Sequence, residues 1–133
     1  MPSNAEGLLA LMSDTSLTPQ SQMEAIDSQM AHLWMVRTFL KHAEETEEDE
    51  ELQQVARTLY DYMLALGPAV QANDPGTYLK QAKKKFSKLR KACELFEEIQ
   101  PEISDHTNFK MAAVSCRLVV NQVEAILGAS SGS

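Results

Sequence analysis

Leu79, Ala82, Phe86, Leu89, Cys93 and Phe96 recur at 3-4-3-4-3 spacing, which only an α-helix turns into a single apolar face. A one-sided stripe of that length has to be buried against other elements. Three further segments carry the same periodicity: Met23, Ile26, Met30, Leu33 and Leu40; Leu52, Val55, Leu59, Tyr62, Met63 and Leu66; and Phe109, Ala112, Cys116, Val119, Val123 and Leu127. Aromatic residues make up only 6% of the chain, which favours packing of helix on helix over a sheet. At 133 residues the sequence suits one domain.

Helix boundaries follow from capping chemistry. Thr18 followed by Pro19 is a favoured start, because proline lacks the N–H that would go unsatisfied there. This first helix is expected to run to about Glu45. Seven acids lie between Glu44 and Glu51; their mutual repulsion opposes a continuous helix and predicts a break near Thr46. The second helix is expected to stop around Gly67-Pro68, with an extra turn through Val70 as the variant reading. Asn73 to Gly76 reads as a turn, with Asp74 capping the third helix and Pro75 at its first position. Pro101 is expected to end that helix, Ser104 to cap the fourth and Gly128 to follow its last turn. The organisation predicted is an arm over 1–17 with an apolar patch at Leu8, Leu9, Leu11 and Met12, a helical domain over 18–128 and a fraying tail over 129–133. Short connections make the expected fold all-α, an antiparallel up-down-up-down four-helix bundle.

A formal charge of −7 disfavours nonspecific binding to nucleic acid or to an acidic membrane. Uninterrupted apolar runs are only a few residues long, so no membrane span is expected, and the first residues lack the pattern of a signal peptide. Cys93 and Cys116 fall on the stripes of different helices and read as buried free thiols, which points to a reducing cytoplasm.

Arg37 is the anomaly in this pattern. Its position reads as the middle of the first helix's stripe, where a charge needs a partner, a ligand or water. The expected topology brings the end of helix one to the start of helix four, where Asp105 lies one turn before Phe109. A buried Arg37 to Asp105 ion pair is one reading. The other is an open polar pocket in which Arg37 presents its planar fork to a small anion or nucleotide, with Asn108, His106 and His42 around it.

The segment from Arg37 to His42 also has R-x4-H spacing, which resembles the motif of HEPN-type ribonucleases, all-helical and usually dimeric enzymes that use no metal. The resemblance covers these two residues. It implies that Arg37 would stabilise phosphate charge and His42 would act in acid-base chemistry at a 2′-hydroxyl.

A carboxylate-bridged metal site needs Glu-x-x-His pairs, and no Glu stands three residues before His32, His42 or His106. No metal or other cofactor is expected. Lys80, Lys83, Lys84, Lys85, Lys88, Arg90 and Lys91 form a basic block without one acid, which reads as a solvated face or a docking surface for an acidic protein partner, including the Glu44 to Glu51 run of another subunit. Nucleic-acid binding would call for exposed aromatic residues among these cations, and only Tyr78 is near. Trp34, Met35, Val36 and Phe39 make helix one apolar around more than half its circumference. Burial on a second side is therefore expected, by a homodimer anchored on Trp34 or by the arm carrying Leu8 and Leu9. The small residues Ala112, Ala113 and Ser115 would let another helix approach closely. With no catalytic motif, the sequence favours a non-enzymatic interaction or regulatory module, with the anion-binding and ribonuclease readings as alternatives.

Overall fold

The computed structural model describes residues 17–131 as five helices: α1 Pro19–His42, α2 Glu44–Glu47, α3 Glu50–Gln71, α4 Pro75–Ile103 and α5 Thr107–Ser131. There is no strand among the described residues. Leu8, Leu9, Leu11 and Met12 lie outside them.

Capping accounts for the starts. Thr18 Oγ1 accepts from the Ser21 N–H (3.1 Å) and Ser21 Oγ accepts from the Thr18 N–H (3.0 Å), a reciprocal box with Pro19 in the first turn. Asp49 accepts from the Leu52 N–H at the start of α3. Asp74 caps α4, accepting from the N–H and hydroxyl of Thr77, and these bonds hold its carboxyl below the ordinary carboxylate range.

The helix ends depart from expectation. The acidic segment breaks the chain twice rather than once, at Ala43 and at Glu48–Asp49, with the single turn of α2 between and Thr46 buried inside it. Pro68 does not stop α3, which takes the extra turn of the variant reading as far as Gln71; it sits in the last turn, where one N–H is lost and Ala69 beyond it gains burial. The helix instead ends where Asn73 takes φ 49° and the Asp74 N–H reaches back to the Ala69 carbonyl (2.9 Å). Gln20 donates to Asn73 Oδ1, tying this turn to the beginning of α1. Pro101 likewise lies within α4, which runs on to Ile103. Ser104 ends α4 instead of capping α5; its hydroxyl accepts from the His106 N–H, and α5 begins at Thr107 and continues past Gly128.

α1 packs against α3 and α5, α4 packs against the same two helices, and α1 also touches α4. The core is the four apolar stripes with two changes of register. Val36, not Arg37, is buried between Leu33 and Leu40, so the stripe steps by 3-3-4 from Met30. At the start of α4, Tyr78 is fully buried and Leu79 only half-buried. Ala112 and Ala113 are buried within this chain's own core, leaving no small-residue face for a second subunit there.

Cys93 and Cys116 are not free thiols. They face each other across the α4–α5 contact with Cα atoms 5.8 Å apart and form a disulfide. The thiol argument for a reducing cytoplasm therefore falls, since persistent disulfides belong to oxidising compartments. Thr107–Gly128 of α5 is long and apolar enough to cross a bilayer by length and composition, because its few charges are widely spaced. In this fold it contributes Phe109, Cys116, Val119 and Val123 to the core.

Tyrosine and glutamine side chains supply polar contacts inside the fold. Tyr62 donates to the Ala82 carbonyl (3.0 Å), Tyr78 donates to Asp27 Oδ1 (3.2 Å), and Gln22 Nε2 donates to the Ile126 carbonyl (3.3 Å). Burial pushes both phenols above their ordinary value of 10.0, and the Asp27 charge pushes Tyr78 further. The unfolded chain thus releases these protons at a lower pH than the fold does. Stability is present below pH 10.0 and falls as the pH rises beyond it. Thermal unfolding followed from about pH 8 to 11 should show that decline, and it should be shallower in Tyr62→Phe.

Candidate functional site

Arg37 emerges from α1 beside α3, one position round the helix from the core. Its guanidinium carbon lies 4.5 Å from the centre of the Tyr60 ring on α3 and 5.2 Å from that of Trp34, one turn earlier on α1. Both contacts are within cation–π range. Arg37 is half-buried and forms no ion pair with any described residue; the ion pairs present are Arg90–Glu94 and Arg117–Glu97. The expected Arg37 to Asp105 pair is therefore absent. Asp105, His106 and Asn108 are exposed around the α4–α5 connection, and His42 is exposed at the end of α1. None of these four residues lines the cavity that Arg37 lines.

Arg37 instead lines a cavity of about 400 Å³ between α1, α2 and α3, together with Lys41, Arg57, Tyr60, Thr46 and Glu47. Lys41 follows Arg37 by four residues and Arg57 precedes Tyr60 by three, so helical spacing gathers three cations from two helices. Gln53 holds the α2 turn in place by donating to the Thr46 and Glu47 carbonyls (2.8 and 3.1 Å). Thr46 has a buried hydroxyl with no hydrogen-bond partner. Lys41, and not His42, shares this cavity with Arg37, so the R-x4-H pair is split between different surroundings.

Tyr60 is also the wall of a second, apolar groove. Trp34, Met63, Leu64, Gly67, Pro68 and the polar Gln71 complete its lining, around about 420 Å³. Trp34 is 47% exposed, Leu64 60%, Tyr60 37% and Met35, next to Trp34 in the chain, 67%. Phe39 does not belong to this surface, because its ring packs edge-on against Phe109 at 4.9 Å inside the fold.

A third and larger groove, about 670 Å³, runs between α3 and α4 over Val55, Tyr62, Leu89 and Ala92. Lys85, Lys88 and Lys91 line it, with Asp61 the one acidic residue among its lining. Lys80 and Lys84 are exposed farther along the same helix. Tyr78, the aromatic residue expected near these cations, is buried, as is Phe86. Among the described residues, no three His, Cys, Asp or Glu side chains gather as a metal site, and His32 is exposed.

Comparison with protein-family models, with curated proteins and with solved structures finds no match to this chain. Sequence reasoning identified Arg37 and Trp34 but missed Arg57 and Lys41 as their companions. The usable signal was the i, i+3 and i, i+4 spacing on each helix; what it could not supply was which flank of α1 faces α3.

Proposed function

We propose that the chain is a non-enzymatic interaction or regulatory module, an up-down-up-down four-helix bundle over 18–128, that self-associates as a homodimer through the α1–α3 face. The observation that carries this reading is the cluster of exposed large apolar side chains there, Trp34, Tyr60 and Leu64, around a preformed groove. Scattered exposed apolar residues are ordinary, but a cluster with a tryptophan and a tyrosine beside an arginine has the composition of an interface centre. Arg37 stacked on both rings holds them in place before a partner arrives, which lowers the entropy lost on association.

The lysine-lined groove between α3 and α4 is the complementary face for an acidic protein partner. Its apolar floor and cationic rim suit a helix with one apolar and one acidic side. The deep burial of Tyr78 and Phe86 leaves no stacking platform among these cations, which favours protein over nucleic acid.

Sedimentation equilibrium tests the first surface. Wild type should associate reversibly, and Leu64→Glu should weaken association roughly a hundredfold, because it removes an apolar contact and places a charge against an apolar surface. A monomer at all concentrations, or a dimer indifferent to Leu64→Glu and Trp34→Ala, would rule out this face.

A further inference from the structure

We propose that the cavity between α1, α2 and α3 is a binding site for a dianionic phosphate group, as inorganic phosphate or as a phosphomonoester on a larger molecule. Arg37, Lys41 and Arg57 bring three positive charges to about 400 Å³, and Glu47 is the one acid in its lining. That leaves two positive charges uncompensated at the cavity, the charge of a phosphate monoester dianion near neutral pH.

The orientation of Arg37 supports the assignment. Trp34 and Tyr60 both take up the π-type interaction of its guanidinium, and no carboxylate among the described residues lies within ion-pair distance. Its N–H groups are the part of the fork that recognises phosphate oxygens, and a guanidinium fixed by two rings loses little freedom when they engage. Lys41 and Arg57 approach from the adjoining turns of α1 and α3, so an anion between them would be held by both helices. Of the seven acids from Glu44 to Glu51, Glu47 alone lines the cavity, and the others lie on the same segment outside its lining. They disfavour unselective accumulation of anions and leave recognition to the three cations.

Trp34 is the single tryptophan of the chain, so its fluorescence reports directly on the Arg37 stack. The experiment is a titration of the full chain with inorganic phosphate and, separately, with phenyl phosphate, each against sodium chloride at matched ionic strength. Saturable changes in Trp34 emission with the phosphates and not with chloride are expected. Lys41→Gln and Arg57→Gln should each weaken the response about tenfold or more, the loss of a charge-assisted contact, while leaving the aromatic stack intact. Leu64→Glu should retain it, which separates this site from self-association. Equal affinity for the two probes would indicate free phosphate, and tighter binding of phenyl phosphate would indicate an ester; both support the site. A response matched by chloride, no saturable response, or unchanged binding in both cation variants would overturn it.

Discussion

Reduction of the Cys93–Cys116 disulfide is expected to lower the folding stability by about 3 kcal/mol, the loop-closure contribution of a cross-link spanning 23 residues. In a protein of this size that is a fall of roughly 10 °C in the unfolding midpoint. The bond joins α4 to α5 across the α4–α5 connection, and both sulfur-bearing residues are buried, at 3% and 0% exposure. Most of its effect therefore acts on the unfolded chain, whose longest connected helices it keeps together. Thermal unfolding with and without a reductant measures the difference, with Cys93→Ala/Cys116→Ala as the control that removes both sulfurs. A midpoint unchanged by reductant, together with two titratable thiols per chain in the denatured non-reduced protein, would show that the bond does not form in solution.

This pairing also marks where the sequence stopped being legible. Both cysteines fall on the apolar stripes of two helices, but periodicity gives the face of a helix and not the height at which two helices meet. The pairing depends on that height. The helix starts were readable for the opposite reason: Thr18-Pro19 and Asp74-Pro75 signal through atoms within three or four residues of themselves. The ends were harder. Pro68 and Pro101 look like terminators locally, yet burial of Ala69 in one case and packing of Ile103 against the core in the other carries the helix through. Tertiary packing overrides propensity there.

The candidate site shows the same division. Arg37 is conspicuous in the sequence because the stripe puts a charge in the core, and the expected topology pairs it with Asp105 at the helix end. The actual arrangement needs no buried ion pair. A shift of one residue in the stripe, from Arg37 to Val36, moves the charge to the flank of α1, where the Trp34 ring of the same helix and the Tyr60 ring of α3 receive it. That shift also gathers Lys41 beside it and turns a supposed structural ion pair into an uncompensated cationic cavity next to an apolar groove. The two surfaces share Tyr60, so the residue that walls the cavity is also part of the interface proposed for self-association.

The register of α1 can be tested by charge and by its absence. Val36→Asp is expected to cost at least about 3 kcal/mol, because the carboxylate would replace a side chain 4% exposed between Leu33 and Leu40, with no cation inside to meet it. Arg37→Met keeps much of the volume and removes the charge. It should cost only about 1 kcal/mol, the loss of two partly exposed cation–π contacts partly offset by apolar packing on the same rings. Urea unfolding of both variants against wild type gives the comparison, with equal m-values required for the midpoints to be read as stability. The opposite order, a loss of about 3 to 5 kcal/mol in Arg37→Met and little in Val36→Asp, would mean that Arg37 neutralises a buried acid and would return it to the core. The order expected here leaves Arg37 free of any structural obligation that a methionine could not meet, and so makes its retained charge available to an anion.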